Sequence, residues 1–108
     1  MAYDDDLAHR IRELIGPEPG VSEKRMFGGL AFLINGHMAV AASGQGGLMV
    51  RVDRDERDAL LKGKFVSPMI MRNKETHGWL RVDAGGLKTK RQLQTWVARG
   101  VEQARSAR

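Results

Sequence analysis

The run from Met26 to Met38 constrains the fold of this chain more than any other stretch. From Met26 to Ile34 every residue is apolar or glycine, and Asn35-Gly36 then breaks the run. An Asn-Gly pair between apolar segments is the strongest short hairpin signal, because both residues tolerate positive φ. The pattern predicts a strand over 26–34 that returns as a second strand through Ala42. In the first of these, Phe27, Ala31 and Leu33 alternate with Met26, Leu30, Phe32 and Ile34, so both faces of the strand are apolar. In a chain of 108 residues, a strand that must be covered on both sides points to association, and a homodimer is the expectation. Gly28-Gly29 within the run reads either as a bulge, bending the strand where a side chain would clash, or as a close backbone approach to a ligand.

The remaining elements follow from periodicity and punctuation. Leu7, Ile11, Leu14 and Ile15 recur at helical spacing behind Asp4-Asp5-Asp6, and Gly16-Pro17 stops them, so the first helix starts near Asp4. The alternation of Leu48-Met49-Val50-Arg51-Val52 predicts a third strand after the glycine-rich turn 43–47. Asp53 with Glu56 reads as a variant capping box opening a short helix through Leu60-Leu61, closed by Gly63. Two more strands are expected over Ser67–Arg72 and His77–Asp83, joined through 73–76. Thr89 and Gln92 form a capping box before a last helix whose Leu93, Trp96, Val97, Val101 and Ala104 share one face. The order is α-β-β-β-α-β-β-α, an α+β fold. A chain this short cannot cover both faces of a five-stranded antiparallel sheet, so the helices are expected mainly on one face, leaving the other as a place for a partner.

Composition narrows the function classes. Length fits one domain over 1–108, and 42% hydrophobic against 29% charged residues fits an ordinary globular chain. With no cysteine, thiolate catalysis, disulfides and Cys-ligated metals are excluded, and a reducing cytoplasm is the expected location. The opening Met1-Ala2-Tyr3-Asp4-Asp5-Asp6 is acidic where a signal peptide would be basic and then apolar, and no run reaches the length of a membrane span. His9, His37 and His77 lack metal-pair spacing. Ser22, Ser43 and Ser67 sit in turn-like or strand-edge contexts without a positioned base, and the turn at 44–47 lacks the Lys-Ser/Thr ending of a phosphate loop. No catalytic residue, cofactor or metal is expected.

The formal charge of +5 favours acidic partners but serves solubility equally well. Met49 and Arg51 share one face of their strand, and Trp79 and Arg81 one face of theirs. An aromatic with cations on an open sheet is the arrangement that stacks and neutralises a nucleic-acid strand. With Trp79 as the one aromatic in that set, any such binding is expected to be weak and non-specific. Lys88, Arg91 and Arg99 share the solvent side of the last helix, where Glu102 dilutes them, and read as a solvated face.

The signature Arg25-Met26-Phe27-Gly28-Gly29, the hairpin through Asn35-Gly36, the run His77-Gly78-Trp79-Leu80-Arg81-Val82-Asp83 and the Trp96-containing helix together resemble the N-terminal domain of the TfoX/Sxy family of bacterial competence regulators. The resemblance implies a secretion-chaperone-like α+β fold and a cytoplasmic regulatory role without catalysis, typically as co-activator of competence genes alongside the cyclic-AMP receptor protein. Longer members of that family continue into a helical C-terminal domain, whereas this chain reads as a stand-alone N-terminal domain. The expected function is a regulatory adaptor acting through protein contacts, possible partners being a transcription regulator and a second copy of the chain. Direct nucleic-acid binding and a small-ligand sensor walled by Gly28-Gly29 are the alternatives. The candidate interaction residues are Arg25, Phe27, Gly28 and Gly29 of the signature with Met49, Arg51, Trp79 and Arg81 of the two strands.

Overall fold

A computed structural model describes residues 3–26, 28–71 and 73–106. The elements are α1 (Asp5–Ile15), β1 (Val21–Met26), β2 (Gly29–Ile34), β3 (His37–Ala42), β4 (Leu48–Arg51), α2 (Arg57–Leu60), β5 (Val66–Met71), β6 (Lys74–Val82), a 3₁₀ turn (Ala84–Gly86) and α3 (Lys90–Ser106). The strands form one antiparallel sheet in the order β1-β2-β3-β4-β6-β5.

The α+β architecture agrees with the sequence reading, but among the described residues the sheet has six strands, not five. The extra strand comes from the segment expected to be continuous over 26–34. Gly28, at φ +75°, lies in a turn flanked by the paired residues Met26 and Gly29, and Val21–Met26 runs back along β2 as an edge strand. Ser22, Glu23, Lys24 and Arg25 are all exposed, so β1 carries no apolar alternation by which its sequence could announce it. Two other expectations shift. Asp53 caps a turn, its Oδ1 accepting from the Asp55 N–H at 2.8 Å, while α2 begins after Glu56 without a side-chain cap. The connection expected at 73–76 shrinks to a tight turn at Asn73, φ 65°, and Lys74 already belongs to β6.

The other local signals form as their chemistry dictates. Asp4 Oδ1 accepts from the backbone N–H of Asp6 and Leu7, capping α1. Thr89 Oγ1 accepts from the Gln92 N–H at 3.1 Å while Gln92 Oε1 accepts from the Thr89 N–H at 3.0 Å, a reciprocal capping box. Asn35 (φ 52°) and Gly36 (φ 85°) make the β2–β3 turn between the paired Ile34 and His37, as a type I′ hairpin requires.

All three helices pack on the same face of the sheet. Leu7, Ile11 and Ile15 of α1 and Leu93, Val97, Val101 and Ala104 of α3 close over Phe32, Ile34, Val40, Leu48, Val50, Leu80 and Val82, with Leu60 of α2 joining the edge of this core. Phe32 is fully enclosed, a burial that contributes about 1.5–3 kcal/mol relative to exposure. Helix α3 and the sheet approach closely at Gly100. A Cβ there would lie 2.5 Å from the Ala39 carbonyl oxygen, at the extra residue that β3 inserts where the register with β2 shifts between Phe32 and Leu33.

Candidate interaction face of the sheet

The face that carries no helix is crossed by a second apolar cluster to which every strand contributes. Ala31, Ala41, Met49 and Met69 are buried within it, and Met26, Leu33, Met38 and Trp79 are half-buried around them. Leu33 and Ala31 are the second apolar side of β2 read from the sequence; neighbouring strands cover part of it, with methionine supplying four of the eight side chains. Methionine is unbranched and polarizable, so a surface built from it adjusts to differently shaped apolar partners.

Met49, Arg51, Trp79 and Arg81 lie together on this face. Because β4 and β6 pair antiparallel with Met49 opposite Arg81 and Arg51 opposite Trp79, the two period-two pairs become one constellation. The Arg51 guanidinium stands over the Trp79 ring, 5.7 Å from its centroid, and Nη1 reaches the Met38 carbonyl at 3.5 Å. Arg81 is fixed at the rim, donating to Gln45 Oε1 at 2.5 Å and to the Gly46 carbonyl at 2.8 Å in the β3–β4 turn. That turn is held by Ser43, whose hydroxyl oxygen accepts from the Gln45 N–H, and by Gly46 and Gly47, both at positive φ. Lys24, opposite Ala31, adds a third cation on this side. Both arginines are occupied by neutral groups, so their charge remains uncompensated by any described carboxylate.

The signature residues play other parts. Arg25 stands opposite Leu30, a residue of the helix-side core, and alternation puts it on the side away from Met49 and Trp79. Glu23 shares that side, and its carboxylate receives Arg12 Nε at 2.6 Å and Nη2 at 2.9 Å. This bidentate hydrogen bond holds the Glu23 carboxyl below its ordinary range; burial opposes it, and the charge of Arg12 adds a lesser lowering. Gly28 serves the β1–β2 turn. Gly29 faces the Ala42 carbonyl oxygen so closely that a Cβ would collide with it, and Gly44 is packed equally tightly on Gly28. Backbone therefore fills the space that a ligand against Gly29 would need, and the strand bulge expected at Gly28-Gly29 is instead a turn followed by a close approach. Phe27 lies outside the described residues.

Reading the sequence for charge and aromatics missed Met26, Leu33, Met38 and Met69. For the methionines the signal is compositional: Met occurs six times in 108 residues, and Met26, Met38, Met49 and Met69 all fall within strands. Within the charged run 53–58, Arg57 is buried, with Nη1 3.3 Å from Asp58 Oδ1. Among the described residues no three His, Asp or Glu side chains gather as a metal would require, and no helix is long and apolar enough to cross a membrane.

Neither the curated proteins nor the solved structures gave a match to this chain. The family described as the TfoX N-terminal domain matches residues 13–104, from the last three residues of α1 to the end of the buried face of α3. The six-stranded sheet with its helix-free face, α2 and nearly all of α3 fall within the matched span, and the chain belongs to the TfoX N-terminal domain family.

Proposed function

We propose that this chain is a non-catalytic, cytoplasmic regulatory adaptor that acts by protein–protein contact through the helix-free face of its sheet. Membership of a family connected with competence and its regulation supports the regulatory part. The observation that carries the rest is the apolar band built from all the strands, held half-exposed between Arg51, Arg81 and Lys24. Such a band is continuous, adaptable and rimmed by polar groups, which is the composition of a protein interface core and its rim. The occupants are a second copy of the chain and a transcription regulator.

A photoreactive residue placed at Met38, on this face, and at Gln94, exposed on α3, tests the reading in the native cell. Ultraviolet adducts with a defined protein from position 38 and none from position 94 are expected. Equal labelling from both positions, or labelling from position 94 alone, overturns the assignment of the face. Self-association is measured separately by light scattering: a dimer is expected at about 100 μM, well above the micromolar range of modest interfaces. Leu33→Glu should return it to monomer with an unchanged circular dichroism spectrum, and a monomeric mass for the unaltered chain removes the homodimer.

A further inference from the structure

On the helix side of the sheet a second surface has a composition unlike the methionine band. The chain leaving α2 through Gly63, the start of β5, the end of β6 and the first turns of α3 enclose a groove of about 390 Å³, within the range of small-molecule sites. Its chemistry comes from Lys64, Phe65, Arg91, Gln92, Trp96 and Arg99. The spacing of Arg91, Thr95 and Arg99 stacks them along one side of α3 with Trp96 between the two arginines.

Three features of the groove belong together. One aromatic wall packs closely on the 3₁₀ turn: the Phe65 ring lies where a side chain on Gly85 would have to go, and Phe65 Cβ is 2.9 Å from the position of a Cβ on Gly86. Each wall carries a cation on its face, Lys64 Nζ 5.5 Å from the Phe65 centroid and the Arg99 guanidinium 4.9 Å from that of Trp96. With Arg91 there are three cations in the lining and no carboxylate, and none of the three is in an ion pair with a described acid. Three cations and no carboxylate in the lining of one small apolar floor attract an anion. A bare anion would leave the aromatic floor wet, and an apolar ligand would leave the cations uncompensated.

We infer that this groove is a binding site for a free nucleotide, with the base against Trp96 and the Arg99 guanidinium plane and the phosphates between Arg91 and Lys64. Stacking of a base on an aromatic ring and an arginine, with phosphate neutralised beside it, is the chemistry these side chains supply. Gln92 Oε1 is already used by the Thr89 N–H, so its amide group offers donors to the base edge. The volume suits one nucleotide rather than a run of bases, and none of the lining residues belongs to the methionine band.

The chain contains two tryptophans, so the indole N–H signals of the ¹⁵N-labelled protein read the two surfaces separately, assigned through Trp79→Phe. Titration with AMP and with ATP should move the Trp96 signal saturably and leave Trp79 in place. Adenosine and inorganic pyrophosphate should each bind at least about tenfold more weakly than ATP, and Arg91→Glu combined with Arg99→Glu should weaken ATP by about tenfold or more. Circular dichroism of the double variant verifies that it stays folded. An unmoved Trp96 signal overturns the inference. So does pyrophosphate binding as tightly as ATP, which makes the groove a bare anion patch, or a single-stranded 12-mer that shifts Trp96 where mononucleotides do not, which makes it part of a strand-binding surface.

Discussion

Gly29 has the carbonyl oxygen of Ala42 where a side chain would stand, so its role is steric and local. Gly29→Val forces β2 away from the end of β3 and is expected to cost about 1–3 kcal/mol, read as a lower denaturant midpoint. An unchanged midpoint would mean that the two strands separate there without cost. The Arg12–Glu23 pair acts through charge instead. The carboxyl of Glu23 is held below its ordinary value by the hydrogen bonds from Arg12, so its contribution is complete above about pH 4.3, the ordinary glutamate pKa, and is lost as pH falls through the lower folded value. Both side chains are more than one-third exposed, 48% and 37%, and solvent screening keeps the effect small. The difference in Tm between the unaltered chain and Glu23→Gln should therefore shrink as pH drops from about 5 toward 3. A difference that grows with acid would contradict the sign.

The last helix shows what one element owes to local chemistry and what it owes to packing. The capping box of Thr89 and Gln92 satisfies two N-terminal donors, and Thr89→Ala should cost about 1 kcal/mol. Hydrogen exchange would locate the loss: faster exchange confined to the first turn of α3 is expected, whereas uniform acceleration along its length would mean that the cap governs the whole helix. The middle of α3 depends instead on Gly100, whose missing side chain lets the helix settle on the Ala39 carbonyl. At the far side of the sheet, Pro68 is tolerated because β5 is an edge strand, free of a partner beyond it.

For the molecule as a whole, the charge of +5 is spread over surfaces with different tasks. Arg51 and Arg81 are already engaged by Trp79, a carbonyl and Gln45, so a phosphate backbone crossing the helix-free face would have to displace those contacts. Single- and double-stranded oligonucleotides are accordingly expected to bind with Kd no tighter than about 10⁻⁶ M at physiological salt, the strong end of non-specific affinity. A sequence-selective complex near 10⁻⁸ M, weakened by Arg51→Ala, Arg81→Ala or Trp79→Ala, would replace protein contact with direct nucleic-acid recognition as the task of this face.

Sequence alone determined the features that depend on neighbours a few residues away. The cap at Asp4, the capping box at Thr89, the Asn35-Gly36 hairpin and the amphipathic faces of α1 and α3 are each encoded by spacing, because the hydrogen bonds and apolar stripes involved close within a turn or two. The period of two likewise placed Met49 with Arg51 and Trp79 with Arg81. Tertiary structure decided that these two pairs meet, since β6 rather than β5 lies beside β4 and no local signal specifies strand order. It decided the sixth strand too: β1 is polar from Ser22 to Arg25 and is held by its ladder with β2, an interaction those residues do not advertise. It also set Arg25 apart from the methionine band. The groove at Trp96 is the clearest case, because Lys64 and Phe65 come to Arg91 and Arg99 only when β5, β6 and α3 pack, and side chains that far apart in sequence acquire a common chemistry only through the fold.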